Sequence, residues 1–117
     1  MSIQELEEKE LIELLTPIAQ ELESGWNDNN YEKFIHHVAK DMRESIDINN
    51  FNKQRTEVIT KLGKSTLGQL VKIHRNPNNV VIIWEIEFEK RPEPGLGVYR
   101  FIETNGTVKV ESSLHHH

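Results

Sequence analysis

The spacing of apolar residues changes in the middle of the chain, and this change constrains the fold more than any other feature. Before Gly63 the apolar residues recur every three to five positions, as on the buried face of a helix. After Gly63 they alternate with other residues, and a period of two is typical of strands. Helices followed by strands predict an α+β domain in which the helices lie across one face of a sheet.

The first predicted helix carries an acidic surface and one long apolar stripe. Ser2 and Glu5 have capping-box spacing, so the helix is expected to start there and to extend to Trp26. Pro17 interrupts the stripe and removes a backbone donor, so we expect the helix to kink or restart near it. Residues 2–15 are therefore expected to dock as a separate helical segment, on this domain or on a partner subunit, with their glutamates outward.

Two more helices are predicted before Gly63. The asparagines of Asn29–Asn30 can cap a short second helix, and those of Asn49–Asn50 can cap a third helix that ends at Gly63. The stretch 41–47 between them fits either a helix or an irregular link.

Four strands are predicted after Gly63, joined by short turns that make the sheet antiparallel. The clearest strand follows residue 79 and places Trp84 on its core face, with Val81 and Ile83 on the opposite face. Asn105–Gly106 is the dipeptide that suits a type I′ hairpin turn.

Composition excludes several classes of protein. The chain has 117 residues and no cysteine, which excludes disulfide scaffolds, thiol catalysis and cysteine-ligated metals. The net charge of −5 argues against nucleic-acid binding, and no apolar run approaches the roughly 20 residues that span a bilayer. The acidic start does not resemble a secretory signal, so we expect a cytoplasmic protein. Residues 1–113 are predicted to form a single domain, and residues 114–117 have the composition of a purification-tag remnant.

One local pattern resembles a known family. The run from Glu23 to Phe34, in which a long helix ends in a polar turn before a short aromatic helix, is similar to the opening of nuclear transport factor 2-like domains. These domains belong to the cystatin-like α+β superfamily, and the resemblance extends over roughly residues 12–112. It implies a strongly curved sheet whose concave face, covered by the helices, forms either a ligand-binding cone or a filled core.

No signature of catalysis or cofactor binding was found in the sequence. It contains no glycine-rich phosphate loop and no nucleophile elbow. His36 and His37 are adjacent, but no acidic residue with recognisable ligand spacing completes a metal site; Asp41 alone follows His37 by four positions. We therefore predict no catalytic residue, no metal and no cofactor.

Two functional hypotheses remain. The first is a non-enzymatic domain that binds a partner or self-associates, with a homodimer formed through a sheet face containing Leu70, Val81 and Ile83. The alternative is a protein that binds a small apolar ligand, or an isomerase- or dehydratase-like enzyme, using the cone. Its expected lining is Trp26, Tyr31, Phe34, Trp84 and Tyr99. A cavity of about 300 Å³ or more with buried titratable groups would favour the alternative.

Overall fold

In the computed structural model, which describes residues 2–117, four α-helices pack against a curved, four-stranded antiparallel sheet. The predicted α+β class is confirmed, and the ambiguous stretch after residue 40 forms one helix more than predicted. Met1, part of the predicted domain 1–113, lies outside the described residues. The sheet order is β1-β2-β3-β4. The elements are a short 3-10 helix (Ile3–Glu5), α1 (Glu8–Asn27), α2 (Tyr31–Ile35), α3 (Lys40–Ser45), α4 (Ile48–Leu62), β1 (Ser65–Arg75), β2 (Val80–Phe88), β3 (Arg91–Thr104) and β4 (Thr107–His116).

The helix α1 starts later than predicted and does not restart at Pro17. It begins at Glu8 instead of near Ser2, and it continues through Pro17 without a break. Pro17 has no N–H to donate to the carbonyl of Glu13, four residues earlier in the helix. Both residues are exposed. Water can therefore satisfy that carbonyl, so the proline does not end the helix.

The segment before α1 docks on the sheet of the same domain. Ile3 is buried in the core, and its backbone N–H donates to a Glu103 carboxylate oxygen at 3.1 Å. The Arg75 guanidinium donates to the carbonyls of Ile3 at 3.2 Å and Leu6 at 2.6 Å. One arginine at the end of β1 thus holds the chain just ahead of α1.

The end of α1 is fixed to three other elements. A Cβ built on Gly25 would lie 2.4 Å from the backbone nitrogen of Phe34, so glycine lets α2 cross at close range. The Asn27 side chain donates to the Ser65 carbonyl at 2.7 Å and accepts from its N–H at 3.0 Å. Arg55 of α4 donates to the Asn27 carbonyl at 2.8 Å, which satisfies a free carbonyl at the helix end.

The turn residues account for most of the element boundaries. Asn30 caps α2 as predicted, whereas α4 is capped by Asp47, whose carboxylate accepts from the Asn50 N–H at 2.8 Å. Asn105 and Gly106 have φ angles of 52° and 77°, and two positive values in succession are those of a type I′ turn.

The main core lies between the helices and the inner face of β2 and β3. Trp84 is buried there as predicted, and its ring centroid is 5.4 Å from that of Tyr99 in an edge-to-face arrangement. The buried apolar residues of α1 that cover this face are Leu11, Leu15, Ala19 and Leu22.

The structure corrects the predicted position of Leu70. Leu70 pairs with Trp84 and packs against the core, whereas Val81 and Ile83 lie on the outer face of the sheet. Register irregularities on both sides of Leu70 shift the alternation of β1, so a strict period of two assigns its side chain to the wrong face.

Candidate functional site

A cavity opens at one end of the domain, between the helices and the end of β4. Its volume is about 190 Å³. This is smaller than the roughly 300 Å³ expected of an open ligand-binding pocket. All four helices contribute to its wall, and so do Ser113 and three residues of the stretch 114–117, which has the composition of a purification-tag remnant. The lining residues are Leu22, Glu23, Trp26, Phe34, Met42, Ile46, Gln54, Val58, Ser113, Leu114, His115 and His117.

Two of the five predicted lining residues face this cavity. Trp26 and Phe34 line it, and their rings pack together with centroids 5.9 Å apart. Trp84 and Tyr99 lie deeper, in the core beneath it. Tyr31 does not line the cavity. Its hydroxyl donates a hydrogen bond to the backbone carbonyl of Ile46, a lining residue, at 2.6 Å.

A buried carboxylate at the cavity wall is the chemical feature that sequence reasoning missed. Glu23 is only 4% exposed, although its neighbours in sequence belong to a solvated acidic surface. One of its oxygens, Oε1, lies 2.8 Å from His115 Nε2 at ion-pair distance, but among residues 2–117 no hydrogen bond of good geometry reaches this oxygen. A buried charged oxygen without a partner is costly, so its presence at a cavity needs a reason.

The phenol of Tyr99 lies beside this carboxylate. Burial raises the pKa of Tyr99 well above its ordinary value, and the negative charge of Glu23 raises it further. The hydroxyl is fully buried and has no well-formed hydrogen bond, while Ser113 is its register neighbour on β4. Tyr99 is therefore a neutral hydrogen-bonding group at physiological pH and not a base.

The position of Glu23 was readable from helix periodicity. It follows Ala19 by four residues and Leu15 by eight, so the three side chains share the inner stripe of α1. Because Glu23 was grouped with the solvated glutamates of the same helix, its buried position was not predicted. The cavity thus combines a largely apolar wall with a few polar side chains, and the Glu23 carboxylate among them can bind a cation or a hydrogen-bond donor.

Comparisons with known proteins support the fold alone. No family model matches the chain, and no curated protein matches it. A solved structure, that of Bd1075 from Bdellovibrio bacteriovorus, is similar with a TM-score of 0.59 and 13% sequence identity. The match covers 95% of this chain but only 43% of that one, so the chain spans less than half of its structural neighbour. Among residues 2–117, none of the helices has the length and apolar character needed to cross a membrane.

Proposed function

We propose that this chain is a non-enzymatic binding domain of the nuclear transport factor 2-like type, which holds a small apolar amine or hydroxyl compound in the cavity beside Glu23. The observation that carries the proposal is the buried Oε1 of Glu23, which accepts no well-formed hydrogen bond from residues 2–117 although His115 lies against it, in a wall that is largely apolar. The resemblance at residues 12–112 and the order of helices and strands support the family. Ligand binding would give that oxygen its missing donor and remove the cost of its burial.

The size of the cavity limits the ligand. Engineered cavities of about 150 Å³ hold a benzene molecule, so a volume of about 190 Å³ suits one ring with a short polar substituent. Trp26 and Phe34 offer aromatic surface to such a ring. A donor on the substituent then reaches Glu23.

A binding function is favoured over catalysis because the two groups that chemistry would need do not both face the cavity. Isomerase-type reactions use a carboxylate base together with an oxyanion donor at one substrate. Glu23 lines the cavity, but Tyr99 is fully buried beneath it. A substrate in this cavity therefore meets the carboxylate without the phenol.

The test compares benzylamine with toluene, which has the same ring but no donor. We measure both affinities by NMR titration of the full chain. Benzylamine is expected to bind at least about tenfold more tightly, because a hydrogen bond to a charged group contributes roughly 1.5–3 kcal/mol. Glu23→Gln should remove most of this preference while leaving toluene binding unchanged. Glu13→Gln, an exposed change on the same helix, is the matched control.

His115 provides a second arm of the test. It lies against Glu23 and also lines the cavity, so His115→Ala should enlarge the space and free the carboxylate. Benzylamine affinity should then rise. Failure of both probes to bind at millimolar concentration, in the original chain and in His115→Ala, would overturn the proposal. A preference for benzylamine that survives Glu23→Gln would do the same.

Self-association through the outer sheet face is a second proposal, and it is supported by an apolar row on that face. Ile83 pairs with Val98, and Val81 lies beside them, all three only half-buried, while Leu96 is 39% exposed. A second copy of the chain can cover this row by a two-fold, self-complementary contact. Light scattering should give twice the 13.7 kDa chain mass at high micromolar concentration.

Changing both Val81 and Ile83 to lysine should convert the dimer to a monomer, because it buries like charges against each other. Leu14→Lys, an exposed change on α1 and so on the helical side of the sheet, is the matched control and should leave the dimer intact. A monomeric original chain, or a dimer that survives the double change, would rule out this interface.

A further inference from the structure

We infer that Glu21, His36 and His37 form a binding site for a divalent transition-metal ion such as Zn²⁺. One ligand atom from each of these residues lies within 4.8 Å of the other two. Two imidazoles and one carboxylate are ligands that zinc and its neighbours accept. The sequence predicts no metal here because Glu21 lies 15 residues before His36, which is not the spacing of a known ligand motif.

One of the three ligand–ligand distances matches the spacing around a tetrahedral ion, and all three lie within 4.8 Å. Zinc ligands at about 2.0–2.1 Å from the ion lie roughly 3.3–3.4 Å apart. Glu21 Oε1 is 3.4 Å from His36 Nδ1, and Glu21 Oε2 contacts His37 Nε2 directly. Small side-chain rotations that separate the second pair are enough to admit the ion.

The backbone holds both histidines in place. The His37 carbonyl accepts from the Val110 N–H at 2.6 Å, and the Lys109 ammonium donates to the His36 carbonyl at 3.4 Å. Both contacts come from β4, whereas Glu21 lies on α1. A site whose ligands are fixed on opposing elements loses little conformational entropy on binding.

The three side chains are also exposed enough for a water molecule to reach the ion. His36 is 65% exposed, whereas His37 and Glu21 are about one-third exposed, so a water molecule can take the fourth position.

This site is separate from the cavity, although Glu21 and Glu23 are close in sequence. Residues two apart on a helix point about 200° from each other. Glu23 is buried at the cavity, and Glu21 faces the histidines. An ion here would tie α1 to the segment after α2 and stabilise that crossing.

The experiment is a zinc titration of metal-free protein against a chromophoric chelator. Because His115, His116 and His117 can bind zinc themselves, the titration uses both the full chain and a background with all three changed to alanine. We expect one zinc equivalent to remain in the background. Glu21→Gln should weaken its binding at least about tenfold, since even loss of a second-shell partner costs 10–100-fold. His74→Gln, an exposed histidine elsewhere, is the matched control and should have no effect.

Two readouts separate a true site from incidental histidine binding. Zinc should shift the imidazole Cε1–H resonances of His36 and His37 together while leaving His74 unchanged, and it should raise the melting temperature of the background protein but not of Glu21→Gln. Circular dichroism verifies that Glu21→Gln is folded. Loss of all zinc binding in the alanine background, or unchanged affinity in Glu21→Gln, would overturn the inference.

Discussion

Replacement of Trp84 by alanine tests whether the core is organised as described. The indole is 3% exposed and meets Tyr99 and Phe101 edge-to-face, with centroids 5.4 and 6.4 Å away. A buried aromatic side chain removes about 150–250 Å² from water, and at about 25 cal/mol/Å² this amounts to roughly 4–6 kcal/mol. Partial collapse of the cavity lowers the loss, so we expect about 3–5 kcal/mol.

That loss is a large part of the total stability. A chain of this length has a free energy of unfolding of roughly 6–18 kcal/mol, at about 0.05–0.15 kcal/mol per residue. Urea unfolding, with a slope of about 1–3 kcal/mol/M, should show a midpoint lowered by more than about 1 M. Trp26, the other tryptophan of the chain, remains as the fluorescence probe.

Val71→Ala provides the comparison. Val71 is 53% exposed on β1, so its truncation should change stability by less than about 0.5 kcal/mol. If Trp84→Ala changes the free energy of unfolding by no more than this control, with an unchanged slope, the indole is not part of the main core and the reasoning fails.

Three other changes address the remaining contacts. Arg75→Ala should cost about 1 kcal/mol and speed hydrogen exchange at residues 3–6, because the guanidinium holds the carbonyls ahead of α1; unchanged exchange contradicts this. Gly25→Ala should destabilise the protein despite the better helix propensity of alanine, since its Cβ would meet the Phe34 backbone; a higher melting temperature would refute it. The raised pKa of Tyr99 means that the unfolded state releases this proton first, so stability falls as pH rises above about 10. Urea unfolding at pH 8 and 11 should show a smaller alkaline loss in Tyr99→Phe, and an equal loss in both proteins counts against this explanation.

The elements predicted most accurately are those in which the local sequence pattern and the tertiary packing favour the same structure. Along β2 the predicted alternation matches the observed burial, because its pairing with β3 is regular from Val80 to Ile86 and the irregularities near Trp84 lie on the β1 side. The Asn105–Gly106 turn is also determined locally, since few other residues accept two positive φ angles.

Prediction failed where a distant contact decides the outcome. The irregularities that turn Leu70 inward arise from pairing with β2, and nothing in the β1 sequence marks them. A restart of the helix at Pro17, one of the two expected outcomes, does not occur, because packing of Leu15 and Ala19 on either side of it outweighs the loss of one hydrogen bond. The histidine site depends on α1 crossing α2, which in turn depends on Gly25.

The helix α1 contributes a carboxylate to each proposed site. Its geometry explains why Glu21 and Glu23, only two residues apart, lie in different environments. Rotation by about 100° per residue places Glu21 toward the histidines after α2 and Glu23 toward the cavity. The close crossing at Gly25 brings Phe34 to the cavity and, one turn further along the chain, His37 to Glu21. A ligand in the cavity and an ion at the histidines would therefore both stabilise the same crossing of α1 and α2, so occupation of one site should favour occupation of the other.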